Sequence, residues 1–265
     1  MIGSGTMIVS LVRREGIYLA ADSRRTGHVT RDDAFKLITV GPQTIGALRG
    51  SASLEDDETG EVLLAGTHLE NMLDGPLQST KVAATATERE WLLAARSTRP
   101  QILMAFQPFT NHLADDWNKA GLLAKVKAAP DEDPFMIGLT LAQEEADGWM
   151  LVIDLRWVAT VSSDQSRVEI ALHGGQPIQL GHFKDIRYRC LPGPGCDAAV
   201  PNHPQESDDP VEWIDQVFAL TTKHPQCSEH IGGPIDIALA QKGSVQFLRL
   251  KTRGPTGSGS SPPRA

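Results

Sequence analysis

The sequence predicts an α+β fold, in which strands and helices fall into separate blocks. Three observations predict it. The order along the chain is strands, helices, strands, helix, strands, without the alternation of a βαβ parallel sheet. The strand runs of the first fifty residues are small, β-branched or apolar at nearly every position, as expected of sheets covered on both faces. The middle of the chain carries apolar residues at helical spacing.

Thr6 to Val12 (TMIVSLV) and Ile17 to Ala21 (IYLAA) read as strands. The polar turn Arg13-Arg14-Glu15-Gly16 joins them into a hairpin. Ser23 to Asp33 is a polar loop. Phe35 to Val40 and Thr44 to Leu48 are two further strands around the turn pair Gly41-Pro42. Glu55 to Ala65 is ambiguous, with an acidic start that reads as a solvated face. Ala84 to Ser97 is a helix with Thr87 as its cap. Gln107 to Ala128 is one long helix whose Leu113, Trp117, Ala120, Leu123 and Val126 share a face. The run Ala129 to Pro134 ends it.

Phe135 to Leu141, Trp149 to Leu155, Trp157 to Val161 and Val168 to Leu172 are the next strands, with an Asp-Gly hairpin tip at Asp147-Gly148. Tyr188 to Asp209, rich in Pro, Gly and Asp, reads as an irregular loop. Pro210 to Lys223 is a helix with Trp213, Val217 and Leu220 on one side. Pro234 to Ala240 and Ser244 to Leu250 form a last hairpin through Gln241-Lys242-Gly243. Residues 252–265 (TRGPTGSGSSPPRA) form a low-complexity disordered tail. The organisation is thus a short leader over residues 1–5, one domain over residues 6–251, and the tail.

The 265 residues suffice for a large core. Against 25 Lys and Arg stand 33 Asp and Glu, a formal net charge of −8, which argues against a nucleic-acid partner. No apolar run reaches the ~18 residues of a membrane span, and the N-terminus lacks the basic start and apolar stretch of a signal peptide. Three cysteines are too few for a disulfide framework, which suggests a reduced, cytoplasmic setting. Cys190, Cys196 and His203 share one loop but lack a short Cys-x-x-Cys pair, and His224 and Cys227 lack a third group. The first set does not read as a metal site, the second does not read as a catalytic Cys–His pair, and no metal or cofactor is expected.

The chemistry-bearing residues lie in the first block. A Thr hydroxyl becomes a nucleophile when a base sits beside it, and an N-terminal Thr carries its own base in its α-amine. That amine has a pKa of ~7.7–8.0, so it is partly neutral near physiological pH. Thr6 follows Gly5, so cleavage of the Gly5–Thr6 bond would expose it. Lys36 would favour the deprotonated nucleophile, Asp22 would hold Lys36, and Gly50 would offer an oxyanion its backbone N–H.

The runs Gly5-Thr6-Met7-Ile8-Val9, Glu15 to Arg24 (EGIYLAADSR), Lys36-Leu37-Ile38 and Ile45 to Ala52 (IGALRGSA) resemble the proteasome β-type family of N-terminal nucleophile hydrolases. The similarity extends weakly over Phe135 to Val161 and over Gly232 to Val245. The resemblance implies a four-layer αββα sandwich with Thr6 as nucleophile, Asp22 and Lys36 as its supporting ion pair, and Gly50 as oxyanion donor. It also implies a zymogen matured at Gly5–Thr6, a peptide or amide substrate, and a homo-oligomeric ring, with an ATPase or regulatory partner left open. Two departures keep other readings open. Where the family carries Gly-Ser-Gly, this sequence aligns His173-Gly174-Gly175. Where it carries an Asp and a Ser before the Gly-Gly pair, this sequence has Ser228 and Ile231. A catalytically inactive scaffold or binding subunit is the first alternative, and a hydrolase of small amides is the second.

Overall fold

A computed structural model describes residues 5–26, 30–50, 53–55, 62–64, 68–73, 87, 89, 90, 93, 100–129, 135–145, 148–193 and 195–251. The tail over residues 252–265, leader residues 1–4 and the Asp147 hairpin tip lie outside these residues, as does most of the helix expected over 84–97. Thr87 itself is described. Its hydroxyl accepts from Glu90 N–H at 3.3 Å while Glu90 Oε2 accepts from Thr87 N–H at 2.8 Å, the reciprocal pair of a capping box.

Two five-stranded antiparallel sheets make up most of the protein. The first has the order β10-β1-β2-β11-β12, from β1 (Ile8–Arg13), β2 (Gly16–Ala21), β10 (Arg187–Leu191), β11 (Asp236–Gln241) and β12 (Ser244–Arg249). The second has the order β3-β4-β7-β8-β9, from β3 (Leu37–Gly41), β4 (Thr44–Gly50), β7 (Met136–Glu144), β8 (Trp149–Val161) and β9 (Val168–His182). A small pair joins β5 (Ser53–Glu55) to β6 (Val62–Leu64).

Strand alternation explains why β1 and β2 are buried throughout. Ile8, Val12, Ile17 and Leu19 meet Ile45, Ala47, Met150 and Val152 of the other sheet. Met7, Val9, Leu11 and Tyr18 point the other way, onto Trp213, Ile214, Val217 and Phe218 of a helix over Pro210–Thr221. Asp209 caps that helix by accepting from Val211 N–H and Glu212 N–H, both at 2.9 Å. On the second sheet, Leu151, Ile153, Leu155 and Trp157 pack beneath three helices: α1 (Pro100–Ala105), α2 (Gln107–Lys119) and α3 (Leu123–Ala128). The helix over Pro210–Thr221 is α4, and α5 is the single turn Pro225–Ser228. Trp157 meets Phe109 edge-on at 4.9 Å, and its Nε1–H donates to Thr110 Oγ1 at 2.9 Å.

The expected four-layer αββα sandwich is overturned. The protein is mostly two antiparallel sheets, 41% strand against 23% helix, with five short helices among the described residues, which is more β-rich than that architecture. Three local differences accompany it. The single helix expected over Gln107 to Ala128 breaks into α2 and α3 at Gly121, whose φ of +66° ends an α-helix. The two strands expected on either side of Arg156 are one strand of 13 residues, β8. The loop expected from Tyr188 begins instead as β10, and β9 runs ten residues beyond Leu172 to His182.

Candidate active site

Antiparallel pairing brings the site together. Ile8 faces Ala21 across the β1–β2 hairpin, which sets the entry to β1 beside the exit from β2. Thr6 lies at that entry and is buried, with 6% of its surface exposed. Asp22 lies at the exit, and its N–H donates to Met7 O at 3.3 Å. Lys36 immediately precedes β3, and its side chain reaches back across the gap between the sheets.

Asp22 is fully buried and saturated with donors. Its Oδ1 accepts from Met7 N–H and from Lys36 Nζ, both at 2.9 Å. Its Oδ2 accepts from Arg24 N–H and from Gly232 N–H, both at 3.1 Å. Lys36 Nζ donates a second bond, at 3.1 Å, to the carbonyl oxygen of Gly5. The ammonium therefore sits on the carbonyl of the peptide bond that joins Gly5 to Thr6. Burial pushes the Asp22 carboxyl up and the Lys36 ammonium down, while their mutual attraction opposes both shifts.

Gly50 ends β4 at the same edge. Leu48 N–H, two residues earlier, donates to Lys36 O at 2.8 Å. A φ of +75° and the Met136 carbonyl oxygen, 2.5 Å from where a Cβ would stand, together restrict this position to glycine. Thr6, Asp22 and Lys36 are thus joined by direct or adjacent bonds, and Gly50 through the β3–β4 backbone.

The segment before β11 closes the other side. Arg24 pairs with Asp32 at 2.7 Å and donates to Ser228 O, which clamps residues 228–232 against Asp22. The side chains of this segment do not supply the expected hydroxyls. Ser228 Oγ donates to Pro225 O at 2.9 Å within its own turn, and Ile231 is buried in the apolar cluster with Met7.

Two positions missed in the sequence border Thr6. Gly193, after β10, is one: a Cβ there would stand 3.4 Å from the Thr6 nitrogen. Gly174 pairs with Leu155 in the middle of β9, in the other sheet from β1, so Gly193 rather than Gly174 is the glycine beside Thr6. His230 is the other. Its carbonyl and Cβ occupy the space that a side chain on Gly5 would need. Its Nδ1 is buried with no hydrogen-bond partner among the described residues. A His followed two residues on by Gly-Gly is the only sequence signal that pointed there.

The cysteines carry no comparable chemistry. Burial pushes the Cys190 thiol up to about 12, and burial together with a hydrogen bond from its own S–H to Cys227 pushes the Cys196 thiol up to about 12. Only about one thiol in ten thousand would then be ionised at pH 8. Alkylation of Cys190 and Cys196 by iodoacetamide is expected to be slow at pH 8 and to quicken about tenfold per pH unit toward pH 11. Peptide mass mapping checks this, and rapid labelling of either cysteine at pH 8 would contradict it.

No protein-family model matches this chain, and no curated protein matches it significantly. No helix among the described residues is long and apolar enough to cross a membrane.

Proposed function

We propose that the protein is a proteasome-like threonine peptidase or amide hydrolase whose nucleophile, Thr6, is freed by cleavage of the Gly5–Thr6 bond. The observation that carries this reading is the bond from Lys36 Nζ to Gly5 O at 3.1 Å, with Lys36 itself anchored on buried Asp22. A buried cation on a peptide carbonyl draws electron density toward the oxygen and stabilises the charge that develops there on attack. The resemblance of residues 5–53 to the family supports the same assignment.

In maturation, Thr6 Oγ adds to the Gly5 carbonyl carbon. The C–N bond breaks, the Thr6 nitrogen takes up the hydroxyl proton, and water hydrolyses the resulting ester. The freed α-amine is then the base for substrate turnover. It takes the Thr6 hydroxyl proton as Oγ attacks an amide carbonyl, and passes it to the departing amine. Gly50 N–H holds the oxyanion. Water releases the acyl group from Thr6, and the amine regains its starting state. The reading includes a homo-oligomeric ring and a cytoplasmic setting, the latter supported by three free cysteines.

Ser228 and Ile231 favour a second reading, an inactive scaffold, because neither brings a hydroxyl to the site. Intact mass and N-terminal sequencing of the purified, untagged protein separate the two. A chain beginning at Thr6 is expected. A chain that retains Gly5 after assembly leaves Thr6 without its base and overturns the hydrolase reading. A panel of unstructured polypeptide and small amides then distinguishes a peptidase from a small-amide hydrolase.

A further inference from the structure

Away from the Thr6 site, three ligand atoms of the kind metals prefer converge on the outer surface of α2. His112 and Asp116 lie one turn apart on that helix, with His112 Nε2 3.1 Å from Asp116 Oδ2. His68, from a turn far earlier in the chain, brings its own Nε2 to 3.4 Å from His112 Nε2. All three atoms lie within 4.8 Å of one another.

Two of the three separations are close to those of a coordination sphere, and the third is within 4.8 Å. Zinc binds His nitrogen and carboxylate oxygen at about 2.0–2.2 Å, so tetrahedral ligands stand about 3.3–3.5 Å apart. The two close separations, 3.4 and 3.1 Å, lie near that edge length. Hydrogen bonding alone does not serve the cluster equally well. A proton on His112 Nε2 points to either His68 or Asp116, and the atom not chosen faces a lone pair or another donor. One divalent cation satisfies all three atoms together. Lys119 reaches only the other Asp116 oxygen, at 3.9 Å, and leaves Oδ2 available.

Both backbones are held in place. Leu69 is fully buried beside His68, and Asn71 N–H and Leu73 N–H donate to Thr39 O and Val40 O of β3, each at 2.8 Å. Phe109, Leu113 and Trp117 of α2 are buried in the core and fix the helix on the second sheet. The two imidazoles are themselves exposed, so solvent can enter and supply a fourth ligand.

We propose that His68, His112 and Asp116 form a zinc site that ties the turn at His68 to α2. This assignment is independent of the hydrolase reading. The test is a zinc sulfate titration of the full-length, untagged, EDTA-stripped protein in competition with a chromophoric chelator, with cobalt(II) as the spectroscopic probe. One zinc per chain is expected. Its affinity should fall about tenfold or more in His68→Ala and in His112→Ala, since each removes a direct ligand. Cobalt should give the visible bands of a tetrahedral N/O site without thiolate charge transfer in the near ultraviolet. Circular dichroism of the metal-free variants verifies folding, and Asp116→Asn serves where either histidine variant fails that check. Absence of one-to-one binding, equal affinity in the variants, or a thiolate-dominated cobalt spectrum would overturn the proposal.

Discussion

Asp22→Ala is expected to lower the folding stability by about 3–5 kcal/mol, the cost of leaving one member of a buried ion pair without its partner. Lys36, 7% exposed, would keep its charge with only the Gly5 carbonyl as acceptor. The N–H groups of Met7, Arg24 and Gly232 would lose their acceptor in the same step. Urea denaturation reads the loss, and a change below about 1 kcal/mol would contradict the pair's structural weight. Arg25→Ala is the contrast. Arg25 meets Asp33 at 2.8 Å, but the Asp33 side chain is 58% exposed, so at most about 1 kcal/mol is at stake. The pH dependence has a definite sign. Burial already holds the Lys36 ammonium below the ordinary lysine range, and removing Asp22 lowers it further. A lysine whose folded pKa is depressed binds fewer protons folded than unfolded, so stability rises with pH. The variant should therefore recover part of its loss as pH rises toward the ordinary lysine pKa of about 10.4.

What was legible in the sequence was local. The β1–β2 hairpin follows from apolar runs on either side of Arg14-Glu15, and once it closes, Met7 and Asp22 must meet. The covered faces of both sheets were legible for the same reason: apolar residues at consecutive positions leave no solvent side. What was illegible depends on contacts distant in the chain. β10 exists because Ile8 to Val12 offers a free edge to Arg187 to Leu191, and nothing within the Tyr188 segment announces that partner. That pairing also delivers Gly193 to Thr6. β9 contains Gly174, Gly175 and Pro177, which read as breakers. It tolerates them because it is an edge strand and its ladder with β8 shifts register around Ile153. The lengthening of β8 and β9 and the appearance of β10 add strand that local sequence does not announce. The Asp22–Lys36 pair survives that change because it depends only on three strand ends.

Thr6→Ala is expected to abolish hydrolysis, with a fall of about 10⁶-fold where the assay range permits, because no other group replaces a removed nucleophile. It should also leave Gly5–Thr6 uncut, so the variant retains Gly5 at its N-terminus. Stability should change by no more than about 1 kcal/mol, because the substitution leaves the Asp22–Lys36 pair intact. This separation of readouts is what gives the variant its value. Loss of activity in Asp22→Ala is open to explanation by unfolding, whereas loss in Thr6→Ala at an unchanged urea midpoint is not. Thr6→Ser supplies the positive arm, because a hydroxyl on the same backbone position keeps both the nucleophile and, after cleavage, the amine. Cleavage and turnover should persist in Thr6→Ser and be absent in Thr6→Ala. Hydrolysis retained by Thr6→Ala would remove Thr6 from the reaction. Equal inactivity of the parent protein, Thr6→Ser and Thr6→Ala, with Gly5 retained in all three, would assign the buried Asp22–Lys36 pair a purely architectural role, as in the scaffold reading.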